Sequence, residues 1–439
     1  MIHIAIPAMD EPDLPRLLLD LNAQHLLPQS VCVCINQPSS YYTDGLPEHR
    51  RICEVNQSVY RQLRRLESEG RFAFPLEIID CFSPEKAWDA KHSGVGRARK
   101  TAMDFLSRRF GKEASALLVC MDADTRYPPD YLQNVRRQFV LYPEAVALAN
   151  PYYHFVDVED RPAACAMLHY EVYMRAYALC LRLCKLPYAF TAIGSSMACR
   201  MEAYRKIGGI TPFKSGEDFY FLQKMNKTGA VLTHSLSVSH PSARLSHRVG
   251  FGTGPALQKG LDNHWESYPI YPFYLFETMR AAYAGLPTLF EKGQPCREMA
   301  YWNRNFGEGW WIPLKKNSGN RPGQFVHACT EKFDALRGFQ FLKASYRQSD
   351  KGDFANLSDL YGRLRKTLGR INNREDFSIS ASGQEPSAFF DAGYTDSLFK
   401  NPAKAALSDL TLQDWMQIRD FLFLCERHLQ KNQALLPSW

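Results

Sequence analysis

Apolar positions recur every second residue in "IHIAIP" (2–7), "VCVCIN" (31–36) and "LEIID" (76–80). They run almost unbroken through "ALLVCMD" (116–122) and "AVALAN" (145–150). Alternation and short apolar runs of this length are strand signals. Helical spacing fills the gaps. Asp13 and Pro15 open a segment carrying Leu14, Leu17, Leu18 and Leu21. A charged helical stretch follows over roughly 48–70, and "GVGRARKTAMDFLSRRF" (94–110) supplies the next helix. Strands alternating with helices predict right-handed crossovers and an α/β fold, with a mainly parallel sheet flanked by helices. Ligands of such sheets bind beyond the carboxyl ends of the strands.

The rhythm changes further on. Residues 163–190 read as one long helix rich in Tyr, Leu and Cys. "AIGSSMACRMEAYRKIGGI" (192–210) reads as a loop, a short strand and a helix, and "SGEDFYFLQKMNKTGA" (215–230) as a loop entering a helix. Beyond about 245 strand signals stop and mostly α-helical patterns take over, aromatic-rich over 270–290 and basic over 330–372. Near the end Trp415, Ile418, Leu422, Cys425 and Leu429 form an apolar stripe, with Thr411 and Asp414 placed as a capping box. Such a stripe packs a tail onto a core. The Asn, Ser, Gly and Asp of 373–395 read as a surface loop.

Bulk composition narrows the partners. A chain of 439 residues exceeds one ordinary core and predicts two domains or one with a long appendage. The net charge of +7 suits an anionic small ligand or a loose membrane contact. No dense Lys/Arg stripe points to nucleic acid, so none is expected as a partner. The 12 cysteines show no CxxC pair and no zinc spacing, which predicts buried free thiols in a reducing compartment. "MIHIAIPAMDEPDLP" carries no secretion signal, and "YMRAYALCLRLCKLPYAF" (173–190) is broken by Arg175, Arg182 and Lys185. A cytoplasmic location is expected, with a peripheral contact at the inner face of a membrane as an option.

Two acidic pairs carry candidate chemistry. Asp122 and Asp124 close the fourth strand run and precede Pro128 and Pro129. In an extended segment residues i and i+2 share a side, so both can face one hard cation, Mn²⁺ or Mg²⁺. A DxD triplet also occurs in ordinary turns; its place at a strand end favours the ligand reading. Glu217 and Asp218 follow Gly216 at a helix start. Acids there are favoured by the helix dipole alone; the functional reading makes one a general base for an acceptor hydroxyl. "KHSGVGRARK" (91–100) places Arg97, Arg99 and Lys100 where they meet an anion or line a solvated face, and no GxGxxG or P-loop is present. "HPSARLSHRVGFGTG" (240–254) combines His240, Arg244, His247 and Arg248 with three glycines, as a loop near phosphate or a plain surface loop.

The order of these pieces resembles a family 2 glycosyltransferase with a GT-A fold, a Rossmann-like nucleotide-diphospho-sugar transferase. The pieces are the "IP" strand end, the Gly/Arg helix start, "MDADTRYPPDYL" (121–132), the Gly-Ser strand and "GEDFYFLQKMNKTGA" (216–230). The likeness spans roughly 2–245, which sets a catalytic domain over 1–245 and a mainly helical extension over 246–439. It implies a nucleotide-sugar donor, a UDP-sugar foremost, and a glycan or lipid-linked acceptor; it says nothing about oligomeric state. Carried over, Pro7, Ala8 and Glu11 line base and ribose, and Asn36 meets the base edge. Arg99 matches the arginine of the family's Ala-Arg-Asn segment. Asp122 serves ribose or metal and Asp124 the metal, with His240 as third ligand ahead of His247. Gly194, Ser195 and Ser196 face donor sugar and acceptor. Arg244 and Arg248 hold the diphosphate. Asp218 matches the catalytic base, with Glu217 beside it. The chain departs from the family in having Ala8-Met9 and Asn36-Gln37 where Thr-aromatic and Asp-Asp are common. The resemblance implies an enzyme of inverting sugar transfer in polysaccharide or glycoconjugate synthesis. Two other classes keep a place at this point. A sugar-phosphate nucleotidyltransferase would carry a Gly-rich signature that "IPAMDEPDLP" lacks. A non-catalytic sugar-nucleotide module would not need Asp122, Asp124 and Asp218 together.

Overall fold

The computed structural model describes residues 1–113, 115–244, 253–262, 264–349, 352–368, 390–432 and 435–436. The predicted loop over 373–395 falls largely outside these residues, as do His247 and Arg248. The five strand runs form β1 (Ile2–Ala8), β2 (Ser30–Asn36), β3 (Leu76–Cys81), β4 (Leu117–Cys120) and β5 (Ala145–Ala149). Three short strands join them: β6 (Met197–Arg200), β7 (Ala230–Leu232) and β8 (Leu435–Leu436). One sheet results, in the order β3-β2-β1-β4-β6-β5-β7-β8. The pairings β1–β2, β1–β4, β2–β3 and β5–β7 are parallel. β6 enters antiparallel between β4 and β5, so the sheet is mixed yet mainly parallel, as expected.

Strand alternation sorts the two faces. Ile2, Ile4, Ile6, Val31, Val33 and Val119 join one core. It is covered by helices α1 (Leu14–Asp20), α2 (Pro47–Ser68) and α4 (Tyr131–Leu141), with α3 (Val95–Phe110) lying opposite. The other face carries small side chains: Ala5, Cys32, Cys34 and Cys120. They let α3 settle closely on β1 and β2 through Ala98 and Ala102. The cysteines thus act as small hydrophobes, and all 12 are free thiols.

The predicted long helix is α5 (Arg161–Leu183), followed by α6 (Met201–Lys206) and α7 (Glu217–Asn226). Among the described residues the region after 253 is helical apart from β8, and its buried side chains share one core with those of the preceding residues. Its last helix, Leu412–Asn432, packs along α5 and buries Trp415, Ile418, Leu422, Cys425 and Leu429 as the stripe predicted. The capping box is reciprocal: Asp414 accepts from Thr411 N–H at 2.8 Å and donates its own N–H to Thr411 Oγ1 at 3.2 Å. Charge locks the two helices together. Arg175 bonds Glu171 one turn before it (Nε–Oε1 3.0 Å) and reaches Glu426 on the last helix. Arg419 pairs with Asp420 at 2.6 Å, and Tyr153 donates its hydroxyl to Asp420 at 2.9 Å. No helix among the described residues is long and apolar enough to cross a membrane.

Candidate active site

The carboxyl ends of β2, β1 and β4 lie side by side, with Ala8 level with Ile35 and Ala5 level with Cys120. The residues just past those ends therefore share one rim. A cleft of about 820 Å³ opens there. Pro7, Ala8, Glu11, Asn36, Arg99, Asp122, Asp124, Gly194, Ser195, Glu217, Asp218 and Arg244 all line it. Residues from seven separate stretches of sequence are thus brought together.

Arg99 organises the floor. It is 1% exposed and rises from α3 to pair with Asp122 at 3.0 Å and Glu217 at 3.2 Å, while donating to Gly194 O at 3.0 Å. A Cβ at position 194 would stand 2.6 Å from the guanidinium, so a side chain there would displace Arg99 from its ion pairs. Gly216 turns the chain into α7 with φ 74°, a left-handed conformation that favours glycine. The turn aims Glu217 inward at Arg99 and leaves Asp218 facing the cleft. Among the described residues, the Asp218 carboxylate accepts a hydrogen bond from the Phe219 N–H at 2.8 Å. Burial, then the neighbouring Glu217 charge, pushes the Asp218 carboxyl up to about 7. Glu217 is raised by burial as well, against the pull of Arg99.

Asp122 and Asp124 sit in a turn just beyond β4 rather than in extended chain, and both still line the cleft. Their partners differ. Asp122 belongs to Arg99. Asp124 meets Arg244 Nε at 3.0 Å, and the same guanidinium binds Glu11 through both carboxylate oxygens at 2.8 and 2.7 Å. A short bridge delivers Arg244 there: Arg126 N–H bonds His240 O at 3.0 Å and His240 N–H returns to Arg126 O at 2.9 Å. That bridge also explains the fate of His240, expected as a metal ligand. It is not among the residues lining the cleft. Its ring is buried, stacked on Phe155 at 4.6 Å, with Nδ1 donating to Tyr153 O at 3.2 Å. Burial lowers its pKa to about 4.

Residues 117–256 match the model of glycosyl transferase family group 2. Over those residues, about a third of the chain, the sequence is similar to that group. No curated protein matches it. Among solved structures it is similar to S. aureus TarS 1-349 in complex with UDP-GlcNAc, at 11% identity over 80% of this chain and 92% of that one, TM-score 0.38. It is also similar to the mannosyltransferase PcManGT from Pyrobaculum calidifontis in complex with GDP-Man and Mn²⁺, at 13% identity over 97% and 85%, TM-score 0.34. A third is glucosyl-3-phosphoglycerate synthase from Mycobacterium tuberculosis, at 12% identity over 64% and 79%, TM-score 0.31.

Residues that sequence reasoning passed over line the cleft or support it from behind. Tyr127 ties the acidic turn to the Gly-Ser loop: its hydroxyl donates to Ser195 O at 2.9 Å and accepts the Asp122 N–H at 3.1 Å. His154 lines the cleft with Nδ1 on the buried Glu171 at 3.0 Å. The tyrosines of α5 were legible as part of a long Tyr-rich helix, but nothing local showed that they meet the cleft. For a metal, the donor chemistry fits. Asp122 and Asp124 offer hard oxygens, and Mg²⁺ or Mn²⁺ commonly takes one or two carboxylates and leaves the other positions to water and phosphate. Among the described residues no three His, Cys, Asp or Glu side chains stand close enough to complete a shell alone.

Proposed function

We propose that the protein transfers a sugar from a nucleoside-diphosphate donor to an acceptor hydroxyl, with inversion, using Asp218 as general base. The observation that carries this reading is the contrast within one acidic pair. Glu217 is committed to Arg99, whereas Asp218 faces the cleft with a pKa raised to about 7. A base poised near neutral pH can accept a hydroxyl proton and still be ionised when needed. The acceptor O–H bond gives its proton to Asp218 and its electron pair to the anomeric carbon. The bond from that carbon to the diphosphate breaks on the opposite face, and its electrons leave with the phosphate oxygen. Asp124 and Asp122 would hold a divalent ion, which would supply charge neutralisation for the leaving group. Arg244 holds an oxygen of Asp124, so it would share that carboxylate with the ion or turn its charge to the diphosphate.

The donor end follows from the same rim. Pro7, Ala8 and Glu11 shape the nucleoside pocket. Asn36 gives its Nδ2 to Ala8 O at 2.9 Å, which leaves Oδ1 as a buried acceptor without a partner. A base edge that donates N–H, as uracil and guanine do, suits that oxygen. Asp218→Asn is expected to lower turnover by roughly 10²–10⁴-fold while donor affinity stays within about twofold. Single-turnover rates beside calorimetric titration of UDP- and GDP-sugars with Mn²⁺ read both. Full turnover in the Asn variant would remove the base assignment.

A further inference from the structure

The two ends of the cleft differ in chemistry. All five carboxylates that line it, Glu11, Asp122, Asp124, Glu217 and Asp218, come from the strand ends and α7. Among the described residues the wall formed by α5 carries none. There α5 presents Tyr170, Tyr173 and Tyr177, at i, i+3 and i+7 on one helix face. Tyr268 closes on the first two edge-on, with ring centroids 5.2 and 5.5 Å away. Phe339, from the helix Ala335–Tyr346, meets Tyr177 at 6.3 Å and 80°. The rings brace one another, so the wall is rigid before any ligand arrives. Lys259 and Lys343, both exposed, line the same cleft. Neither is paired with a carboxylate among the described residues; Lys259 rests near Ser267 Oγ at 3.4 Å and over the Tyr268 ring.

We infer that the acceptor is a sugar bearing an anionic group, a phosphate or a carboxylate, bound with its ring against the tyrosine wall and its charge at the lysine rim. This rests on the glycosyl-transfer reading above and names its acceptor class. Tyrosine offers an apolar ring face beside a hydroxyl. A sugar has the matching surface, a C–H face edged by hydroxyls. An acyl chain would be matched by aliphatic side chains, which this wall supplies only sparingly, as Met174 and Leu336. Charge then sets the orientation. The acidic floor repels an anion and the two lysines attract it, so the neutral hydroxyl end is the part that reaches Asp218.

The test uses the full chain loaded with UDP and, separately, GDP, each titrated by calorimetry first. Saturation-transfer NMR then measures binding of glucose 6-phosphate, glucuronate, glucose and octyl glucoside. The two anions are expected to bind about tenfold tighter than glucose at low salt, and to lose most of that advantage at about 0.5 M NaCl. Lys343→Glu is expected to abolish the preference, while Lys366→Glu, an exposed lysine outside the cleft, retains it. Equal affinity for charged and neutral sugars, no binding of any probe, or a preference unmoved by Lys343→Glu would overturn the inference with the donor reading intact. Tightest binding of octyl glucoside would overturn it in favour of a lipid-linked acceptor. Failure of both nucleotides to bind would remove the donor reading and the inference with it.

Discussion

Arg99 in the cleft and Arg175 between α5 and the last helix are both buried arginines that each hold two carboxylates. Each cluster has a third acid nearby, and there the two part. In the helix clamp the third acid, Asp420, has its own arginine, Arg419, which also reaches Glu171 at 3.7 Å. In the cleft the third acid, Asp218, forms no ion pair among the described residues. Burial pushes Glu171 up, but Arg175 and then Arg419 overcome it and hold that carboxyl well below the usual range. Burial and Glu217 push Asp218 the other way. The lesson is that a buried charge cluster in which every acid touches an arginine serves the fold, and one that leaves an acid without that contact holds a group open to react.

The largest test of that contrast is to remove each arginine. Arg175→Met strands Glu171 and Glu426 in the core and is expected to cost about 3–5 kcal/mol. Arg99→Met should cost less, roughly 1–2 kcal/mol, because Asp122 is 30% exposed and can be hydrated from the cleft. Urea unfolding midpoints for the two variants give the comparison directly. Equal losses would mean that the cleft cluster is as structural as the clamp.

A sharper test is the sign of the pH dependence. The folded pKa of Asp218 lies above its unfolded value, so between pH 3.8 and about 7 the unfolded chain releases this proton first. Stability from this group therefore falls as pH rises through that window and is flat above it. Glu171 is the reverse: its contribution is present above its unfolded pKa near 4.5 and is lost as pH falls below it. Asp218→Asn should thus stabilise the protein at pH 8 by roughly 1–3 kcal/mol and do nothing at pH 4. Glu171→Gln should destabilise it at pH 8. Turnover of the unaltered enzyme should rise with pH through about 7 as Asp218 ionises. Thermal melts at the two pH values decide; a destabilised Asn variant at pH 8 would erase the distinction between the clusters.

How much of this was legible in the sequence depends on distance along the chain. Asp122 and Asp124 could be found because strand, acids and prolines are contiguous, and the α/β rhythm told which strand end they occupy. Asp218 could be found because Gly216 and the helix start adjoin it. The division between Glu217 and Asp218 came from the family resemblance, and its physical basis was not legible, since it turns on Arg99, 118 residues earlier. Nor was the clamp, where Arg175 meets a glutamate 251 residues away. His240 looked like a ligand because its neighbours are basic and glycine-rich; only the placing of Tyr153 and Phe155 shows its ring turned into the core. β6 ran as a recognisable strand, but four residues carry no signal of direction, so its antiparallel insertion came from the sheet alone.

The smallest effect asks whether the clamp holds its helix unaided. The capping box at Thr411 and Asp414 starts the helix that carries Arg419, Asp420 and Glu426. Asp414 is also bound by Lys404 at 3.0 Å and Tyr394 at 2.6 Å, so the cap is well supported without the threonine hydroxyl. Thr411→Ala should cost about 1 kcal/mol, the ordinary value for an N-cap, and leave turnover unchanged. The reason is that the buried ion pairs with α5, rather than the cap, fix where the helix lies. If the variant lost more than about 3 kcal/mol, or lost activity, the helix position would depend on its first turn. The tyrosines of α5 would then move with it, and clamp and cleft would be one cooperative unit rather than a scaffold and the site it supports.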